Sequence, residues 1–333
     1  MNKIFITGGA GYVGCVLAKY LLNKGYQVTV FDTMYFTDNF LDKKNKNLKI
    51  IKGDIRNKEY LEESCRNHDV FVSLACISND SSFELDESLS TSINLNSFEP
   101  MVIAAKNAGI KRFIYASTSS VYGLSKEKDI KEDHELVPLT LYNKYKGLCE
   151  PLLFKHTDEN FSGVVFRPAT VCGYSPRMRF DLSVNILTNY AINKNYINVF
   201  GGEQLRPNLH IQEYCNVVNV LINAKREKIS NQIFNVGNEN LKIIDIAEIV
   251  KNVVLEKFEE KKELKIIRTE SDDKRSYHIN SDKVKEILGF VPRLSLVDAV
   301  KEICDAFINK KFSNTFEDNI YYNVKRIKNL NIS

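Results

Sequence analysis

Tyr142 and Lys146 stand four residues apart, a spacing that puts both on one face of a helix and brings an ammonium within reach of the region around a phenol. A free phenol titrates near pH 10 and is a poor base at neutral pH. A nearby ammonium and an oxidised nicotinamide both favour the phenolate and draw its titration towards the working range. Such a phenolate can take the proton of an alcohol while hydride leaves the carbon that bears it. Upstream, residues 112–123 read as a strand that runs into the hydroxyl side chains of Ser117, Thr118, Ser119 and Ser120. The carboxyl end of a parallel strand is where α/β sheets place ligand chemistry, so Thr118 is expected to hydrogen-bond the reacting oxygen. A Tyr/Lys pair and a Ser/Thr-rich loop are each common on surfaces, and it is a cofactor site in the same chain that gives them meaning.

Thr7-Gly8-Gly9-Ala10-Gly11-Tyr12-Val13-Gly14 supplies that site. Glycines at 8, 11 and 14 follow a strand-like run and open a helix-like one. They suit a tight turn, a close backbone approach to a pyrophosphate, and close packing of helix on strand, with the helix N-terminus facing negative charge. Asp32 follows Gly14 by eighteen residues, at the end of a second strand, where a carboxylate accepts from the adenosine ribose hydroxyls. A carboxylate there repels a 2′-phosphate and Thr33-Met34 offers no arginine to offset it, so NAD is the expected cofactor. Asp54-Ile55, after a third strand, can meet the adenine amino group.

Strand-like runs at 3–7, 27–31, 48–52, 70–75, 112–116 and 163–166 alternate with helical stretches, such as 12–24 with Val13, Val16, Leu17, Tyr20 and Leu21 on one face and Gly25 as its stop. This predicts an α/β fold: a Rossmann-type doubly wound parallel sheet with a smaller C-terminal substrate-binding lobe. Residues 1–168 are expected to form the dinucleotide-binding domain, with 206–240 returning to it. Residues 169–320 would form the substrate lobe and 321–333 a tail. The Asn-, Lys- and Tyr-rich segment from Ser313 is a candidate for docking on a partner chain.

Composition agrees with a folded enzyme. Of 333 residues 44% are hydrophobic, ample to offset ordering entropy, and 46 Lys+Arg against 42 Asp+Glu leave +4, too little to make nucleic acid a default partner. No apolar run reaches a membrane span and the N-terminus does not read as a secretory signal, so a cytoplasmic location is expected. Seven cysteines (15, 65, 76, 149, 172, 215, 304), scattered and never paired as Cys-x-x-Cys, suit reduced thiols and no metal site.

The glycine loop, Asp32, Asp54-Ile55, Leu74-Ala75, Asn94, Ser117-Thr118 with Val121-Tyr122-Gly123, Tyr142 with Lys146, and residues 167–173 form an ordered set. So do Arg206-Pro207, residues 234–237, Arg275 and residues 288–292. On them the chain resembles the extended short-chain dehydrogenase/reductases, the nucleotide-sugar epimerase/dehydratase family typified by UDP-galactose 4-epimerase. The resemblance covers nearly the whole chain. It implies a catalytic set of Thr118, Tyr142 and Lys146. Gly8, Gly11, Tyr12, Val13, Gly14, Asp32, Asp54, Ile55, Leu74, Ala75, Asn94 and Ser117 would hold NAD together with Tyr142 and Lys146. Thr118, Ser119, Thr170, Arg206 and Arg275 would hold a sugar nucleotide, the two arginines on its diphosphate. It also implies a homodimer through helices near 90–108 and 142–156, where Pro100 and Pro151 could introduce kinks.

Ser119-Ser120 occupies positions where the related 4,6-dehydratases carry an Asp-Glu pair. A hydroxyl cannot serve as that acid and base, which disfavours dehydration. Thr170 replaces a frequent Asn, and Gln212-Glu213 a frequent Asp pair. The expected reaction is NAD-dependent oxidation at C4 of a nucleotide-linked sugar (UDP-, GDP- or dTDP-). The expected enzyme is a 4-epimerase of surface-polysaccharide precursor synthesis, with a 4-dehydrogenase that releases the keto sugar as the alternative. A non-catalytic NAD-binding regulator is opposed by the intact Thr118, Tyr142 and Lys146.

Overall fold

Runs of Val, Ile and Phe become strands because both of their faces find cover. In the computed structural model, which describes residues 2–78, 80–83, 85–123, 127, 129–261, 263–270, 276 and 278–330, strand Val70–Ser73 is buried at every position and Lys3–Thr7 at all but its first. In chain order the strands are β1 (Lys3–Thr7), β2 (Gln27–Asp32), β3 (Leu48–Lys52), β4 (Val70–Ser73), β5 (Arg112–Ala116), β6 (Ser162–Pro168), β7 (Thr170–Cys172), β8 (Tyr196–Phe200), β9 (Leu205–His210), β10 (Gln232–Val236), β11 (Glu239–Lys242) and β12 (Lys265–Thr269). Seven of them make one parallel sheet in the order β10-β6-β5-β4-β1-β2-β3. Strand order reverses between β1 and β4, and a doubly wound sheet opens its ligand crevice at that point.

The two faces of the sheet carry different cores. Ile4, Ile6, Val28, Val30, Val70 and Val72 pack against helices Tyr12–Asn23 and Ile211–Asn223. Phe5, Phe31, Phe71 and Phe113 point the other way, towards helices Lys58–Cys65, Phe98–Asn107 and Leu141–Phe154. These rings form a continuous row, with centroids 5.7 Å (Phe5–Phe31), 5.2 Å (Phe5–Phe71) and 4.7 Å (Phe71–Phe113) apart. Beyond residue 168, β11-β9-β7 form a small sheet and β8 pairs with β12. Helices Ser183–Lys194, Ile243–Lys257 and Leu296–Ile308 enclose a separate core there.

One expectation needs correction. The helix expected over 90–108 is divided: Glu87–Thr91 is α-helical, Ser92–Asn96 makes a π-helical turn, and Phe98–Asn107 begins anew. Pro100 falls in the first turn of that last piece, where its missing N–H has no helical acceptor to lose. Pro151 lies inside Leu141–Phe154, close to its end. The described part of the C-terminal segment packs on its own chain. Helix Asn323–Asn329 buries Ile327 in the same core as Leu61 and Phe98, and Arg326 donates from Nε to the Tyr35 carbonyl at 2.6 Å.

A buried ion pair joins the sheet to the helix that carries Tyr142. Arg167 on β6 donates from Nη2 to Glu150 Oε2 at 2.6 Å and from Nε to Oε1 at 3.0 Å, and both side chains are 3% exposed. Ser117 at the end of β5 donates to the same carboxylate at 2.6 Å. Removing one member leaves the other charged, desolvated and unpaired. We therefore expect Arg167→Met to cost about 3–5 kcal/mol in urea unfolding, and Glu150→Leu combined with Arg167→Met to cost clearly less than Arg167→Met alone.

Candidate active site

The glycine loop fits where a side chain would not. Gly8 has φ +74°, and a Cβ there would lie 2.6 Å from the Ala75 nitrogen; one on Gly14 would lie 2.3 Å from the Gly8 oxygen. The loop can therefore lie flat against β4 and turn at once into helix Tyr12–Asn23. That helix starts at Gly11 with no side-chain cap and no acid in its first turn, so its free N–H groups are available to an anion.

A cavity of about 930 Å³ opens above this loop. Gly8, Gly11, Tyr12, Val13, Gly14, Asp32, Asp54, Ile55, Leu74, Ala75, Ser117, Thr118, Ser119, Tyr142, Lys146, Thr170 and Arg206 all line it. Residues separated by almost two hundred positions thus meet in one crevice. Asn94 does not reach it. Its side-chain oxygen accepts from the Ile77 N–H and its Nδ2 donates to the Ile77 carbonyl, both at 2.8 Å, so both ends of the amide are spent on holding the loop after β4 in shape. Arg275 lies outside the described residues.

The carboxylates at the strand ends are already engaged. Asp32 accepts from the Ala10 N–H at 3.0 Å and the Met34 N–H at 2.8 Å, and burial pushes its carboxyl above the usual range against those two bonds. Burial acts on Asp54 in the same direction, but the hydrogen bonds and charge of Arg56, paired at 2.7 Å, outweigh it and hold the carboxyl below its usual range. Carboxylate oxygens accept more than one donor, so both can still take a ribose hydroxyl or an amino group.

At the opposite end Tyr142 and Lys146, both on helix Leu141–Phe154, line the cavity together. Lys146 is buried, donates from Nζ to the Ala116 carbonyl at 2.8 Å and lies 5.0 Å from the centre of the Tyr115 ring. Burial pushes the Tyr142 phenol well above its usual range, Cys76 and Asp80 add to this, and the charge of Arg179 opposes it. In the protein alone the phenol is therefore a weaker acid than a free tyrosine. Thr118 caps the turn Ser119–Tyr122 and shares a 2.8 Å hydrogen bond with Ser120 Oγ, which donates in turn to Asn143 Oδ1 at 2.6 Å.

Sequence reasoning missed a group that arrives from elsewhere in the chain. The segment after β7 is pinned to the start of helix Tyr12–Asn23: Tyr12 Oη donates to the Gly173 carbonyl at 2.7 Å, and Ser175 Oγ to the Tyr12 carbonyl at 2.8 Å. Arg177, Arg179 and Asp181 thereby line the same cavity. Arg179 pairs with Asp181 at 2.8 Å and donates to Ser78 Oγ at 3.1 Å. The dense Arg177-Met178-Arg179-Phe180-Asp181 run is the signal that could have drawn notice, but nothing in it says where it folds.

A parallel sheet with a glycine loop at its switch point, and a tyrosine and lysine on the helix after β5, define a dinucleotide-dependent enzyme of the extended short-chain dehydrogenase/reductase type. Residues 4–237 match the model of the NAD dependent epimerase/dehydratase family, and the chain belongs to that family, whose cofactor is NAD. It is 25% identical over 319 residues to the low-salt glycan biosynthesis protein Agl12 of Haloferax volcanii, covering 92% of this chain and 98% of that one. It is 24% identical over 336 residues to a UDP-glucose 4-epimerase of Rhizobium leguminosarum bv. trifolii, covering 91% and 97%. Among solved structures, the UDP-glucuronic acid 4-epimerase of Bacillus cereus in complex with UDP-glucuronic acid and NAD superposes with a TM-score of 0.81 at 26% identity, covering 93% of this chain and all of that one. Among the described residues no helix is long and apolar enough to cross a membrane.

The tight glycine contacts make a direct test. Gly14→Ala should yield folded protein that binds NAD at least tenfold more weakly, read by equilibrium dialysis and by the cofactor content of the purified protein. Unchanged NAD content would mean that the loop yields without cost.

Proposed function

We propose that the protein oxidises C4 of a nucleotide-linked sugar and returns the hydride to the opposite face, acting as a nucleotide-sugar 4-epimerase in the synthesis of surface-polysaccharide precursors. The reading is supported by one cavity that holds Tyr142, Thr118 and the glycine loop together with Ser119 and Ser120, the two positions at which the related 4,6-dehydratases carry an Asp-Glu pair. Gly8, Gly11, Tyr12, Val13, Gly14, Asp32, Asp54, Ile55, Leu74, Ala75, Ser117 and Lys146 would hold NAD. Asn94 would contribute through Ile77. Thr170 and Arg206, beside Asn198 and Gln204, would hold the sugar nucleotide at the end of the cavity built by the second lobe. Arg275 would join them on the diphosphate.

NAD, when bound, accepts the hydride from C4 and supplies a positive ring that favours a phenolate. Tyr142 then takes the hydroxyl proton on its Oη. Thr118, whose hydroxyl otherwise bonds Ser120, turns to donate to the sugar oxygen as carbonyl character develops. Lys146 keeps the end of β5 in place through Ala116 and lends its charge to the nicotinamide side. Tyr142 would hand the proton back to the sugar oxygen as the hydride returns to the other face of C4, which would give the epimer. The segment to residue 168 together with 206–240 would serve the dinucleotide, and 169–320 the sugar. A homodimer would form through helices Phe98–Asn107 and Leu141–Phe154, on which Leu148 is exposed.

Incubation with UDP-, GDP- and dTDP-linked hexoses and heptoses, followed by NMR of the products, should reveal a 4-epimer without net NADH. Stoichiometric NADH with a released 4-keto sugar would instead establish the 4-dehydrogenase, and loss of water a dehydratase. Tyr142→Phe should lower turnover by about 10²–10⁴-fold with bound NAD unchanged. An ultraviolet titration of wild type minus Tyr142→Phe should show the phenol ionising above about pH 10 without cofactor and at lower pH with NAD. The sign follows from charge: burial disfavours the phenolate and a cation favours it. If NAD leaves that midpoint where it was, Tyr142 is not the base.

A further inference from the structure

Arg177 is 1% exposed and among the largest fully buried side chains of the described residues. Its guanidinium lies 3.7 Å from the centre of the Phe36 ring, just past the end of β2, and Nη2 donates to the Asn323 side-chain oxygen at 2.6 Å. Its Nε has no partner among the described residues, and no carboxylate stands within ion-pair distance of it there. Arg179, two residues on, has Asp181. Of these two neighbouring guanidiniums, then, one is balanced and the other is buried against a neutral amide and a ring. An unpaired charge of this kind is expensive to bury, and the cost is recovered only when an anion completes it.

Its position indicates which anion. The segment that carries Arg177 is fixed to the first turn of helix Tyr12–Asn23 by Ser175 and Tyr12, and the side chain lies against Phe36 and near Asp32, on the side where β2 ends, in the same cavity that the glycine loop lines. We propose that Arg177 receives the pyrophosphate of the dinucleotide, and that Asn323 of the C-terminal helix holds the guanidinium in place for it. The proposal rests on the dinucleotide site being the glycine loop and is independent of which sugar is oxidised. The helix N-terminus supplies partial charge and N–H donors, and Arg177 supplies a full charge and a planar fork. Burial lowers the guanidinium to about 9, with the charge of Arg179 acting in the same direction and Asp181, Cys15 and Asp32 opposing, so it stays charged at neutral pH yet lacks a close counter-charge. Asn323 is itself anchored: its backbone N–H donates to Asp181 at 3.0 Å and its Nδ2 to Ser78 Oγ at 2.8 Å. The C-terminal helix thus becomes part of the cofactor site.

A sugar nucleotide also carries a diphosphate, so the test separates the two. Cofactor-stripped full-length protein is titrated calorimetrically with NAD, with ADP-ribose, which keeps the pyrophosphate but lacks nicotinamide, and with UDP. Arg177→Gln should weaken NAD and ADP-ribose at least thirtyfold and leave UDP within twofold, with Arg177→Lys recovering part of the loss. Asn323→Asp, which leaves the arginine in place and sets a competing carboxylate against it, should weaken NAD and ADP-ribose at least tenfold and spare UDP. It decides the matter if Arg177→Gln does not fold. NAD affinity unchanged in Asn323→Asp and, where it folds, in Arg177→Gln, or a loss confined to UDP, would overturn the assignment.

Discussion

The buried pair of Glu150 and Arg167 is the contact on which the active-site geometry depends. It is made where helix Leu141–Phe154 crosses the carboxyl ends of β5 and β6, and it fixes three things at once. Tyr142 and Lys146 are held on the face of that helix which looks into the crevice. Ser117 is drawn against the helix by its bond to the same carboxylate. Arg167 also donates to the Tyr122 hydroxyl, which donates in turn to Asn235 on β10, so the turn after β5 is tied to the far edge of the sheet. A salt bridge is weak evidence of stability by itself, since two ions must be desolvated to form it. What it secures here is register: few other placements of the helix satisfy both buried charges.

The crevice above the sheet is assembled from parts with different jobs. Backbone and glycine form its floor, and that floor admits no side chain. Strand-end carboxylates line one end and the second lobe closes the other. The segment of Arg177 to Asp181 lines the same cavity, and the last described helix bonds that segment through Asn323 and the loop after β2 through Arg326. A cavity of this size can take a dinucleotide and a second ligand together, as hydride transfer requires.

Electrostatics in the crevice run against the reaction until it is loaded. The phenol of Tyr142 is discouraged from ionising by burial and by the nearby Asp80 and Cys76, and the lysine four residues on spends its ammonium on a backbone carbonyl. On the proposed reading, a base held neutral in the resting protein would be activated only when positive charge enters beside it. Proton abstraction would thereby be coupled to the presence of the oxidised cofactor.

How much of this was legible in the sequence differs by kind of information. Local patterns carried the strand and helix alternation, the glycine loop with Asp32, and the one-faced spacing of Tyr142 and Lys146, because glycine tolerance, β-branched runs and helical periodicity act over a few residues. The resemblance to the epimerase/dehydratase family, rather than any local pattern, marked Ser119-Ser120 as a departure with chemical meaning. The sequence could not show that Asn94 turns away to hold Ile77, or that the helix before Pro100 divides at a π turn. Nor could it show that Lys146 faces Ala116, or that the tail closes on its own cleft. Each of these depends on hydrogen-bond partners separated along the chain, such as Arg177 and Asn323 across 146 positions. Spacing determines which residues can share a face, but only packing decides what that face meets, because burial forces each polar group to find whichever partner the folded chain brings within reach.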